Sequence, residues 1–321
     1  MRYSFGPLAS RSNTGQPDLM EAIRRRGGLQ EDFRLPSSEV GIEQHRGELR
    51  LRLPGDRMVA VTRNASEDLA LRLVGGSLSR LLCNPDRPME WLASMDSVLV
   101  RLESGQVRAI LPGGVRILDH LDLLDVVVAG LSAVETDLRL EHCTESDGEL
   151  HMTLVAPSLA GEVEKGDGVC GGLYLTNSET TLSDTEACVR ILRLVCSNGA
   201  LLDVAEGQRM VLPRMVEAHA EDPGRTWKTK LARVIARAFA KEAIEEEVLR
   251  FRSSVRHILA SPYEILLNLV AQRIIDDEER EAIQREFRRS DDQTTYGLIN
   301  AVTRHAHDHR AAERWTRSFA L

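Results

Sequence analysis

The sequence predicts an α+β fold, with antiparallel β-hairpins and packed helices followed by a helical C-terminal region. Two observations carry this. Between residues 39 and 215, short runs of alternating apolar and polar residues are separated by Gly-containing turns, the period-2 pattern of half-buried strands. From Arg225 to Ala260 the chain has no Gly or Pro and is rich in helix formers. The expected organisation is a loosely ordered lead-in at 1–38, an α+β core at 39–215 and a helical region at 224–321.

The elements follow in order. "EVGIEQH" and "ELRLRL" meet across Arg46-Gly47, and "LRLPGDRMVAVT" turns at Pro54-Gly55-Asp56. Leu49, Leu51 and Leu53 alternate with Glu48, Arg50 and Arg52, giving one buried and one wet face. Asn64 or Ser66 is the expected cap of the helix through "SEDLALRLV", so the core opens β-β-β-α. A helix after Pro88 precedes the hairpin "SVLVRLESGQVRAIL", which turns at Ser104-Gly105. Leu121, Leu124, Val128 and Leu131 lie at helical spacing behind an Asp119 N-cap. "DLRLEHCTESDGELHMTLVAP" is a further hairpin turning at Asp147-Gly148. Two neighbouring strands are expected over 172–199. One long helix is then expected from 225 to 260, with Ile244, Val248, Phe251, Val255 and Ile258 forming a continuous apolar seam. Shorter helices follow near 265–275, 278–288 and 294–306.

A net charge of −8 argues against a uniformly basic DNA-coating protein and leaves room for a local basic patch. Five cysteines (Cys83, Cys143, Cys170, Cys188 and Cys196) at wide spacing, with no CxxC pair, favour buried thiols in a reducing compartment. The longest apolar stretch contains Asp122 and Asp125 and is too short to span a bilayer. A soluble cytoplasmic protein is expected, with no membrane association and no cofactor. "GDGVCG" at 166–171 fits GxGxxG, but a polar loop precedes it and a strand-like run follows, so its glycines read as turn residues. No Walker A sequence, GxSxG elbow or HExxH is present. His305, His307 and His309 in "RHAHDH" lack further ligands at recognisable spacing and read as a cationic helix end rather than a metal site.

Arg225, Lys228, Lys230, Arg233, Arg237 and Lys241 fall within 17 positions that contain no acid. The last four are spaced three, four and four, one stripe along a helix, with Trp227 at its start as the one plausible base-stacking platform. A solvated face normally balances such charges with acids one turn away. These residues are the candidate nucleic-acid contact.

The remaining feature is the polar elbow Asn177-Ser178-Glu179-Thr180, followed by a strand carrying Arg190 and Arg193 and ending in "CSNG" with Asn198. "TNSET" followed by "RLVCSNG", together with "VRAILPGGVRILDHLDLLDVVV" and "TTYGLINAVTRHAHD", resembles a bacterial family of phage/plasmid-like proteins, domain of unknown function 932. The resemblance implies a mobile-genetic-element setting and brings no reaction. Asn177, Glu179 and Asn198 are expected to bond backbone at the strand ends, with Arg190 and Arg193 meeting carboxylates. The expected function is non-enzymatic association with nucleic acid, single-stranded DNA being favoured, by binding or annealing. Two alternatives stay open: an enzyme with a polar site formed by Asn177, Ser178, Glu179, Arg193 and Asn198, and a homo-oligomeric scaffold assembled through the long helix.

Overall fold

The computed structural model describes residues 19–308 apart from 135, 147, 194–198, 202–208, 213–215 and 218–222. Its architecture is α+β, with antiparallel sheets, helices packed on them and a helical C-terminal region. Asn198, Cys196 and His309 lie outside the described residues, as do the side chains of Arg193, Arg225 and His307.

The segment expected to be a loose lead-in contributes structure: helix α1 (Leu19–Gly27) and strand β1 (Gln30–Pro36). β1 joins the hairpin β5 (Ser97–Glu103) and β6 (Gln106–Pro112) in the order β1-β5-β6, pairing Phe33 with Val100. Its weak apolar content hid it, because β1 is an edge strand with mostly exposed residues. The β5–β6 turn is at Ser104-Gly105, both with positive φ, as the hairpin signal requires.

A second sheet is the meander β2 (Gly41–His45), β3 (Glu48–Leu53) and β4 (Arg57–Ala60). Leu49, Leu51 and Leu53 are buried, and α2 (Arg63–Val74) follows. Thr62, rather than Asn64 or Ser66, caps α2: its hydroxyl accepts from the Ala65 N–H. α3 (Leu78–Leu82) and α4 (Arg87–Ala93) complete this core, which joins Leu51, Leu69, Leu81 and Leu92 to Val98 and Val100.

The central sheet has the order β12-β11-β10-β9-β8, with β13 also on β11. Its strands are β8 (Arg139–Ser146), β9 (Glu149–Glu164), β10 (Asp167–Ser178), β11 (Thr185–Arg193), β12 (Gly199–Leu201) and β13 (Arg209–Leu212). The elbow therefore joins two neighbouring antiparallel strands, as expected. Alternation puts Met152, Leu154, Leu173, Leu175, Ala187 and Val189 on one face, under α5 (His120–Leu131) and α6 (Pro223–Ala238). β7 (Val115–Arg116) pairs with β14 (Val216–Glu217).

The expected single long helix is two. α6 ends at Ala238, Ala240 adopts an extended conformation, and α7 (Lys241–Val255) begins. No Gly or Pro marks the break; tertiary packing makes it. A Cβ on Gly171 would stand 2.3 Å from Ile244 Cδ1 and 2.9 Å from the Ala238 carbonyl oxygen. The last glycine of "GDGVCG" thus lets the helix junction rest directly on the sheet, and Gly166 makes the β9–β10 turn at φ +84°. Ile244, Val248, Phe251 and Val255 cover Val163, Val169 and Ile191 of the sheet and meet Tyr296. Ile258 departs from the expected seam: it lies beyond α7, 75% exposed. α8 (Pro262–Ala271), α9 (Asp277–Arg289) and α10 (Thr295–Asp308) form a small core around Leu266, Ile283, Phe287 and Leu298. Asp276 and Glu279 cap α9 reciprocally.

Candidate functional site

The elbow residues gather partners from five elements. Asn177 and Glu179 project from the end of β10 toward the start of α5. Asn177 Nδ2 donates to the Leu118 carbonyl (2.9 Å) and to His120 Nδ1 (2.8 Å), and its Oδ1 accepts from the Thr185 hydroxyl (2.5 Å). Glu179 Oε1 accepts the His120 backbone N–H at 2.8 Å, placing a carboxylate at the positive end of α5. Its Oε2 accepts from Gln30 of β1 at 2.9 Å and stands 3.5 Å from Arg26 of α1. The expected backbone bonds of Asn177 and Glu179 are present, and they reach the α5 entry rather than their own strand ends.

Arg26 is the ionic centre. Its guanidinium also pairs with Glu103 (2.9 Å) and with Glu145, and Glu103 is bridged in turn to Arg108 (3.0 Å). Arg101, 3% exposed, grips Asp32 through two 2.8 Å bonds and meets Asp119 at 2.7 Å. Asp119 stands at the N-cap position of α5 but its side chain does not cap; Arg101 has taken it. Burial tends to lower the pKa of Arg101, yet Asp32 and Asp119 raise it above its ordinary value. Thr181, β-branched and at φ +59°, is held in the left-handed region by two bonds from Arg72.

His120 is 1% exposed. Because Nδ1 accepts from Asn177, the neutral ring carries its proton on Nε2, which has no hydrogen-bond partner among the described residues and lies 3.9 Å from Glu179 Oε2. Burial, aided by Arg26 and Arg101 and opposed by Glu179, lowers its pKa to about 4. For Glu179 burial acts upward, but the ring and backbone N–H of His120, with Gln30 and Arg26, hold the carboxyl below its ordinary range. A dry, closely bonded hub results.

The opposite face of the central sheet is also polar and buried, with Thr153, Tyr174, Thr176, Glu186, Cys188 and Arg190. Arg190 donates to the Thr153 hydroxyl at 3.2 Å, and burial pushes its pKa down to about 10. Ser178, on this face, accepts the Leu182 N–H and so shapes the elbow. The sequence did not single out Arg26, Gln30, Arg101 or His120 as site residues. Their contacts with Asn177 and Glu179 cross 57 to 153 positions, and no local spacing announces them.

The outer face of α6 differs. Lys228, Lys230 and Arg233 are exposed, with Ala232 and Ala236 between and after them. Among the described residues no carboxylate pairs with these three cations. The stripe does not continue open to its end: Arg237 pairs with Glu246 at 2.8 Å, and Lys241, on α7 rather than α6, is 3.7 Å from Glu245. Trp227 is not an exposed platform. Its ring is 7% exposed in the core shared with Leu231 and Ile235, with Lys228 Nζ 5.7 Å from its centroid.

Among the described residues no cluster of three His, Cys, Asp or Glu side chains suits a metal, and no helix is long and apolar enough to cross a membrane. Comparison with protein-family models, curated proteins and solved structures finds no match.

Proposed function

We propose that this chain is a nucleic-acid-associated protein, in the phage/plasmid-like setting that its motifs resemble, and that it holds the phosphate backbone against the outer face of α6. The observation that supports the reading is the open cationic face itself. Lys228, Lys230 and Arg233 stand exposed, with no ion-pair partner among the described residues, on a chain of net charge −8. Several exposed arginines elsewhere are met by carboxylates, as at Arg25–Glu21, Arg63–Glu67 and Arg87–Glu90. Unmatched charge on a rigid helix suits a polyanion.

Binding on this face rests on phosphates. With Trp227 buried, no aromatic on α6 is offered for base stacking, so single strands and duplex are expected to bind alike at matched salt. Three open cations predict that log affinity falls against log salt with a slope of about −2 to −3. Fluorescence anisotropy of labelled oligonucleotides across a salt series tests this. Lys230→Glu with Arg233→Glu should abolish binding; equal binding by parent and double variant at low salt would end the reading.

One observation bears on a second reading, a small-molecule or enzymatic site next to the elbow. A cleft of about 390 Å3 opens beside the hub, lined by Arg26, Thr62, Glu103, Gln106, Arg108 and Glu145. Its arginines and carboxylates are already bonded to one another, which leaves a ligand little to recruit. A scaffold reading loses its surface, because the sheet and Tyr296 cover the α7 seam.

A further inference from the structure

We propose that the start of α7 carries an intrachain substitute for phosphate: Glu246, assisted by Glu245, holds Arg237 and Lys241 away from nucleic acid until a polyanion displaces it. This rests on the α6 reading above and concerns regulation of that same surface.

The geometry is a clasp across the helix junction. Arg237 lies in the last turn of α6 and Glu246 in the second turn of α7, nine positions on, with Arg237 Nη2 2.8 Å from Glu246 Oε2. The reversal at Phe239-Ala240 brings them together; a continuous helix would place residues nine apart on different turns, about 13.5 Å along the axis. The break therefore does two things: it seats the junction on Gly171 and brings Glu246 of α7 back to Arg237 of α6.

The clasp is built to open. The Arg237 and Glu246 side chains are 38% and 50% exposed, so water and salt screen their attraction. Glu246 has a second partner in Arg250, 3.4 Å from its other oxygen, so losing Arg237 would not strand it. Lys241 and Glu245, 3.7 Å apart and 73% and 63% exposed, form a looser pair beside it. A phosphate chain presents more negative charge at closer spacing than one carboxylate and would compete for Arg237 directly. Closed, the open stripe covers Lys230 to Arg233, about 4.5 Å of helix; opened, it reaches Arg237 and covers about 10.5 Å. The carboxylate thus raises the threshold for binding and favours long polyanions over isolated anions.

The test uses the full chain and a labelled mixed-sequence oligonucleotide over a salt series. Glu246→Gln should raise affinity about three- to tenfold at low salt and steepen the salt slope by about one phosphate contact. Glu246→Ala should do the same, marking charge rather than shape as the cause. Arg237→Ala should cost little in the parent and much in the Glu246→Gln background, a coupling that a double-mutant cycle reads directly. Glu242→Gln, which removes a charge from the first turn of α7 that has no ion-pair partner among the described residues, should leave affinity within about twofold. An equal rise with Glu242→Gln would reduce the effect to general charge and overturn the clasp. The clasp also falls, with the α6 reading intact, if Glu246→Gln changes neither affinity nor slope while Lys230→Glu with Arg233→Glu abolishes binding. If neither parent nor any variant binds the oligonucleotide, the α6 reading itself falls and takes the clasp with it.

Discussion

The elbow hub and the outer face of α6 hold the same kinds of side chain in opposite arrangements. At the hub, Arg26 and Arg101 are drawn into the fold and met by Glu103, Glu145, Glu179, Asp32 and Asp119 from distant parts of the chain. On α6, Lys228, Lys230 and Arg233 are exposed, with no carboxylate partner among the described residues. A buried charge without its partner is strongly destabilising, whereas an exposed one costs the fold little. The hub's charges are therefore fastened to one another and bind the N-terminal α1–β1 unit, the α5 entry and the central sheet together. Those of α6 stand at the surface of the fold. Polarity and charge alone did not separate the two regions; burial and the identity of the partner did.

The largest expected effect falls on the hub. Glu179→Ala removes the acceptor of the His120 N–H and of Gln30 and one of the three carboxylates around Arg26. It should destabilise the folded chain by about 3–5 kcal/mol, as removal of one member of a buried ionic group does. Urea unfolding followed by circular dichroism measures it. A loss below about 1 kcal/mol would show that the hub is not holding the fold, and the contrast with α6 would dissolve. Asn177→Ala, which strands the Thr185 hydroxyl and unties the Leu118 carbonyl, should cost less, about 1–3 kcal/mol.

What the sequence made legible follows the same division. The hairpins at Pro54-Gly55-Asp56 and Ser104-Gly105 were readable because the left-handed turn positions and the flanking alternation lie within a dozen residues. Helices α9 and α10 were readable for a similar reason, being locally periodic and, in α9, capped by Asp276. The elbow announced itself as costly polarity in a strand, and Asn177 and Glu179 do bond backbone as that cost demands. Its partners were not legible: Gln30 reaches Glu179 across 149 positions, and α1 and β1 were taken for lead-in. The break before Lys241 was hidden because Phe239 and Ala240 are acceptable in a helix, and only contact with Gly171 forces the turn. Trp227 looked like a platform because sequence shows residue type and not the side of the helix that the sheet claims.

Acid should act on the hub. The ordinary value of 6.5 for His120 is lowered to about 4 in the fold, chiefly by burial. As pH falls through about 6.5 the unfolded chain takes up a proton that the folded chain refuses until about pH 4, so this contribution to stability is intact above the window and lost progressively across it. The full loss is about 3 kcal/mol. Glu179, held below its ordinary value, adds a loss of the same sign as pH falls below the range in which its unfolded carboxyl titrates. Denaturant midpoints from pH 7 to pH 4 should fall steadily, and His120→Asn should flatten the upper part of that slope. Stability constant between pH 6.5 and 4.5 would mean that His120 is solvated or charged in the fold, contrary to a dry hub.

The smallest effect on stability is expected at α6, and its smallness is informative. Lys230 and Arg233 are exposed, have no ion-pair partner among the described residues, and neighbour Leu231, Val234 and Ile235, which supply the buried face. Lys230→Glu and Arg233→Glu remove no packing and leave no buried group unpaired, so each should shift unfolding by no more than about 0.5 kcal/mol. The new carboxylates could even gain weakly from nearby cations one turn away, such as Arg237. The comparison then becomes a double dissociation. Glu179→Ala should lower stability while the surviving folded protein keeps its oligonucleotide affinity, and the α6 pair should lose affinity while keeping stability. Parallel denaturation and anisotropy titrations of both variants decide it. If the α6 variants lose as much stability as Glu179→Ala, their cations are fastened within the fold after all, and the surface proposed for nucleic acid becomes a second structural hub.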